Sequence, residues 1–349
     1  MKKIYVALIA FIVFSSHDMY LKMDTYFLHP DKSATIKLFN GTFDKSENVI
    51  DRDRMMDVSL IGNGNRSQVK DAQWSEKDSI TVLNFRTGET GTWVAGVSTT
   101  SRTIEMTAAD FNNYLEHDGV RDMLDNRRNN NKLESDAVEK YSKHVKVIFQ
   151  VGDKRTDDWQ TELGYPIEFI PLSNPYDLKT GDELKVRLLL KGEPLADQLV
   201  YTGYEETGHG HSHDHDQKED TDHSHNNDVG EANTAEHGHS HGQYHEETEE
   251  DHQHTSGTQL RTDSNGIVNI KLKADGIWYL RAINLIDSEE SGLTHESNWA
   301  TLTFEVTHGH GKDSHVHSLE DEGGIPSYVY WIGSLILLGG LFFWFNRKK

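Results

Sequence analysis

Histidines recur at alternate positions in GHGHSHDHD, residues 208–216, and this spacing is the strongest chemical signal in the sequence. Between Glu205 and His254 there are twelve: His209, His211, His213, His215, His223, His225, His237, His239, His241, His245, His252 and His254. The same window carries fifteen Asp and Glu against one lysine, Lys218, a net charge of −14. Neutral imidazole is the common nitrogen ligand for zinc, nickel, cobalt and copper(II). Alternation sets successive imidazoles on one edge of an extended chain, about 7 Å apart at the backbone. The Gly and Ser between them leave room to converge on one ion. The carboxylates supply hard oxygen ligands and concentrate dications nearby. Overlapping ligand sets of this kind predict high capacity, moderate affinity and fast exchange. Binding is lost as pH falls through about 6.5, where imidazole takes up a proton. A solvated acidic spacer is the plain alternative, but a spacer has no need of imidazole.

Two further places carry the same chemistry. THGHGKDSHVHSLEDE holds His308, His310, His315 and His317. Near the other end, His17 and Asp18 follow an apolar run. Cleavage after Ser16 makes His17 an N-terminus whose amine and imidazole can chelate one ion, with Asp18 to ligate or orient. Cleavage after Ser15 leaves Ser16-His17 and a different chelate. A polar start to a strand is the plain reading of the same residues. The isolated His29, His117, His144 and His295 are expected to be surface or internally satisfied residues.

The elements that must position these groups are mostly strands. Composition sets the frame: 349 residues, a net charge of −22 and no cysteine. That charge repels nucleic acid, and the missing thiols exclude disulfides, thiolate metal sites and cysteine nucleophiles. MKKIYVALIAFIVFSS reads as a signal peptide over 1–16, its apolar core too short to span a bilayer. YVYWIGSLILLGGLFFWF followed by NRKK predicts a transmembrane helix over 326–346 with residues 347–349 cytoplasmic. The remainder then faces outward, periplasmic or extracellular, tethered to the cytoplasmic membrane.

Residues 17–172 alternate in short segments such as SATIKLFNG and DSITVLNF, and predict a β-sandwich-like domain. TAADFNNYLEHDG predicts a helical insertion, with Thr107 as N-cap and Gly119 as the stop. A second helical stretch is expected near Glu134 to Lys143. Turn formers in SNPYDLKTGD mark the boundary to a second domain, 173–306, read as an immunoglobulin-like β-sandwich. Hairpins are expected around Gly192-Glu193 and Asn265-Gly266. The histidine-bearing stretch, 205–255, interrupts this domain as a long mobile loop, too poor in aliphatic residues to fold alone. Residues 307–325 form a histidine-rich linker to the membrane. The fold class is thus mainly β, with one C-terminal membrane helix.

Four stretches carry a family resemblance: HDMYLK, YSKHVKVIFQVG, LGYPIEFIPLSNPYDLKTGDELKVRLLLKGEPLADQLV, and TDSNGIVNIKLKADGIWYLRA with SNWATLTFEV. Over residues 17–306 the chain resembles the exported NikM-type ectodomains associated with nickel uptake. The resemblance implies a β-rich ectodomain beside a metal permease, with nickel or cobalt as the ion; no residue pattern indicates catalysis, so a non-enzymatic protein is expected. Zinc is the alternative metal, because His, Asp and Glu ligands do not discriminate. Two other classes stay open. One is a protein-interaction module with the loop as metal buffer. The other is a copper oxygenase, since an N-terminal histidine on a sandwich resembles their amine–imidazole brace, with His117, His144 or His295 as a further ligand.

Overall fold

A computed structural model describes residues 18–207 and 257–307. The expected signal peptide, His17, the twelve histidines of the long loop, His308, His310, His315 and His317, and the expected membrane helix lie outside the described residues. Among the described residues no helix is long and apolar enough to cross a membrane.

In chain order the first strands are β1 (Asp18–Lys22), β2 (Phe27–Leu28), β3 (Ser33–Gly41), β4 (Met55–Gly62) and β5 (Asn65–Gln68). They continue as β6 (Trp74–Lys77), β7 (Ile80–Arg86), β8 (Gly91–Thr99) and β9 (Arg102–Met106). Two helices follow, α1 (Ala108–His117) and α2 (Arg121–Asn129). Then come β10 (Ala137–Val151), β11 (Ile167–Pro171), β12 (Glu183–Leu190), β13 (Glu193–Pro194) and β14 (Leu199–Glu205). The last are β15 (Thr258–Arg261), β16 (Ile267–Lys271), β17 (Gly276–Asp287) and β18 (His295–Val306).

The fold is mainly β with two helices. One sheet runs β1-β3-β7-β6; a second runs β15-β14-β17-β18-β10-β8-β4-β5, with β2 and β9 also on β10; the third joins β11, β13 and β16 to β12. β10 organises the large sheet. It pairs in parallel with β18, Glu139 opposite His295, and antiparallel with β8 and β9. Covered on both faces, its run SKHVKVIFQV is buried from Ser142 to Val151. Strands from either side of the expected 172/173 boundary share sheets, β10 with β18 and β11 with β12.

α1 forms as its sequence dictates. The Thr107 side chain accepts from the Asp110 backbone N–H, and Gly119 takes φ +69° just past the helix. Its Phe111, Tyr114 and Leu115 pack with Met123, Ala137, Ile283, Leu285 and Trp299 in a second core beside the main one. Burying each large apolar side chain, such as Phe111 or Leu115, contributes roughly 1.5–3 kcal/mol.

Two expectations fail. Glu134–Lys143 is not helical: β10 begins at Ala137, and the second helix is the earlier α2. Pairing of Ala137 to Tyr141 with β9, and of Glu139 onward with β18, extends the expected apolar strand VKVIFQVG backward to Ala137. Asn265-Gly266 does not close a hairpin either. β15 pairs with β14 while β16 pairs with β12, so this turn carries the chain from one sheet to another. The first expected hairpin is present only as the short β12–β13 pair, turned at Lys191 and Gly192, both with positive φ.

Candidate functional site

Asp18 is the one ligand nominated from sequence that falls among the described residues, and β1 starts on it. It is 2% exposed. A buried carboxylate persists only with partners. Arg281 of β17, itself 1% exposed, places Nη1 at 3.3 Å from Asp18 Oδ1, and Tyr20 donates its hydroxyl to Asp18 Oδ2 at 3.2 Å. Burial first, and Asp18 second, push the Tyr20 hydroxyl well above its ordinary range, so it stays a donor. Arg281 Nη2 donates to the Asp118 carbonyl at 2.7 Å, and the guanidinium lies 4.9 Å from the Tyr201 ring centroid. Tyr201 in turn donates to the Gly119 carbonyl at 2.9 Å. One arginine therefore ties the start of β1 to the turn between α1 and α2. His117 belongs to the same neighbourhood, with Nδ1 at 3.2 Å from Asp118 Oδ1.

Asp18 and Tyr20 also line a groove of about 810 Å³. Its other walls are Thr42 to Asp44, the end of β14 at Thr202 to Tyr204, the start of β15 at Gly257 and Thr258, and parts of β16 and β17. Aromatic rings form much of it: Phe43 and Tyr279 lie 4.5 Å apart, and Tyr204 stacks on Trp278 at 4.7 Å. Thr202 faces Thr258 in register, so the histidine stretch interrupts two neighbouring antiparallel strands and leaves and returns beside this groove. Lys22, at the far end of β1, pairs with Glu205 at 2.6 Å and donates to the Phe43 carbonyl at 2.9 Å. Glu205 also faces Ile277, which faces Glu305. The chain thus enters the first histidine stretch and departs toward His308 from one end of the sheet. Two strand spacings, about 10 Å, separate those points.

The isolated histidines divide as follows. His29 is half-buried, as expected of a surface residue. His144 is buried with Ser98 Oγ at 2.8 Å from Nδ1 and Ser142 Oγ at 3.0 Å from Nε2. Ser142 donates to Asn298 Oδ1, so its oxygen accepts from His144, which assigns the proton to Nε2. Burial pushes this imidazole down to about 4, so it is neutral and satisfied. His295 is buried with Nδ1 at 2.6 Å from Thr294 Oγ1 and Nε2 at 3.7 Å from Asp287; burial holds it near 4 as well. Among the described residues no three His, Asp or Glu side chains gather as a metal ion would require.

Sequence reading missed the charges that hold this region together. Glu139 is buried, accepting from Ser297 and, at 3.4 Å, from Tyr114. Lys143 is buried with its Nζ 5.0 Å from the Trp299 ring centroid. The one available signal was a charged residue inside an apolar run, as with Arg281 in IWYLRAINL and the lysines of YSKHVKVIF.

A family model described as "Domain of unknown function (DUF4198)" matches residues 14–285. No curated protein matches the sequence. Similar solved structures include trypsin-activated alpha-2-macroglobulin from Escherichia coli, 10% identical at a TM-score of 0.20, over 83% of this chain and 16% of that one. A DUF4785 family protein from Legionella pneumophila is 10% identical at 0.20, over 52% and 37%. The D0-D1 domain of intimin is 11% identical at 0.17, over 82% and 97%. This chain thus spans about a sixth of the macroglobulin's length. Likeness at these scores carries no argument about the site.

Proposed function

The chain belongs to the DUF4198 family, a domain of unknown function, and from that premise we propose a membrane-anchored metal-capture protein. Its ectodomain binds divalent transition-metal ions outside the cytoplasmic membrane, nickel or cobalt by its NikM-type resemblance and zinc as the alternative, and supplies them to a partner permease. It acts as a binder without catalysis, and its C-terminal strands form an immunoglobulin-like sandwich. One observation carries the reading: Asp18 and both ends of the interrupted β14–β15 pair line one groove, and the chain departs toward the second histidine patch from the same sheet end. Three stretches that we propose bear ligands, well separated in sequence, are rooted near one another, as a relay from capture to delivery requires. Imidazole and carboxylate suit such cargo, and the acidic charge attracts it.

The test compares the full chain with one lacking Gly208 to His254, by calorimetric titration with nickel, cobalt and zinc at neutral pH. The truncated protein should keep its melting temperature, because Thr202 and Thr258 already pair across the excision, and should lose most bound ions. Unchanged stoichiometry would reduce the stretch to a spacer. Metal-limited growth of a deletion strain then tests the supply role.

A further inference from the structure

Arg54 ends the 3-10 turn Arg52–Arg54 and is 7% exposed. Its backbone is fixed, the N–H donating to the Asp51 carbonyl at 3.1 Å and the carbonyl accepting from Thr100 N–H at 2.7 Å. Its guanidinium lies 5.4 Å from the Tyr141 ring centroid. Nε and Nη2 are nevertheless buried without a hydrogen-bond acceptor among the described residues. Those two N–H groups share one edge of the planar guanidinium, the edge that takes two oxygens of a carboxylate or phosphate side by side. Arg66 uses the same edge, its Nε donating to Ser59 Oγ and its Nη2 to Asp57 Oδ2, both at 2.9 Å.

A second cation stands by the same ring. Lys143 Nζ is 5.9 Å from the Tyr141 centroid, and the residue is 4% exposed. Burial lowers the Lys143 amine to about 8, Asp18 opposes that shift, and the positive charge of Arg54 adds to it. Two buried positive charges thus flank one tyrosine, and one of them has an unused fork. Leaving charged donors buried and unpaired costs at least about 1–3 kcal/mol, whereas an oxyanion would satisfy both N–H groups at once.

We propose that the Arg54 edge is a binding site for a small oxyanion, a carboxylate or phosphate group, with Lys143 as the second positive charge beside Tyr141. The site is independent of the histidine chemistry. Carboxylate and phosphate share the fork geometry, and separate titrations distinguish them.

Metal-stripped full chain at pH 7.4, where most histidines are neutral and Lys143 still carries most of its charge, is titrated with inorganic phosphate and separately with acetate at constant ionic strength. In protein labelled with ¹⁵N-arginine, one Nε resonance should move saturably for at least one anion, with one site per chain by calorimetry. Arg54→Lys keeps the charge and loses the fork, so affinity should fall by about tenfold or more. No saturable response to either anion, or wild-type affinity in Arg54→Lys, overturns the proposal. Should that variant fail to melt cooperatively, crystals of wild-type protein grown in phosphate decide: an anion on Nε and Nη2 supports the site, and water alone there overturns it.

Discussion

Glu139 keeps a carboxyl where water does not reach, and burial raises it from its ordinary value to about 7, against the donors Ser297 and Tyr114. The folded chain therefore holds a proton on Glu139 at pH values where the unfolded chain has released it. Stability from this group is full below about pH 4.5 and is lost as pH rises through 7, by up to about 3 kcal/mol. Glu139→Gln removes the charge and retains an acceptor. We expect the variant to melt above wild type at pH 8 and to match it near pH 5, so equal melting at both would show that Glu139 carries no such cost. The buried charge of Asp18 is matched by Arg281. Asp18→Ala strands a buried guanidinium and should cost about 3–5 kcal/mol in chemical denaturation. In the structure the partner of Asp18 is an arginine 263 positions away. Pairing at that separation leaves no local trace, so although Arg281 stood out as a charge inside an apolar run, its partners were not legible until the strands were placed.

At the scale of elements, legibility followed locality. α1 was readable because Thr107, the residue three positions on and Gly119 all act within one helix. Thr107→Ala should cost about 1 kcal/mol, measured as a shift in denaturation midpoint; no shift would mean that packing of Phe111 and Leu115 alone sets the helix start. β10 was misjudged at its beginning because Ala137 to Lys140 form a strand through β9 and β18, partners that come from elsewhere in the chain. The turn at Asn265-Gly266 misled for a related reason. A two-residue turn signal states that the chain reverses, and it does not state which sheet receives the returning strand. Here β16 goes to β12.

The whole molecule is stitched by the parallel β10–β18 seam, which runs from Glu139–His295 to Val147–Thr303. Cutting the chain near residue 172 strips β10 of that neighbour and leaves a long apolar edge, an invitation to aggregate. Residues 17–172 expressed alone should therefore be insoluble or unfolded, and residues 17–306 together should show one calorimetric transition; two independent transitions would refute this coupling. The overall β character was plain from alternation and turns, but the seam was not, since a parallel partner over 150 positions away gives no sequence signal. The paired strands β14 and β15 have a wider meaning. They already meet at Thr202 and Thr258, so the 52 residues from 206 to 257 are, to the framework, only a closed ring of chain. Doubling such a ring costs about 0.6 kcal/mol. Natural or engineered variants could lengthen or shorten it almost freely, which under the proposed metal-capture role would tune how many ions one molecule carries while its architecture stays constant.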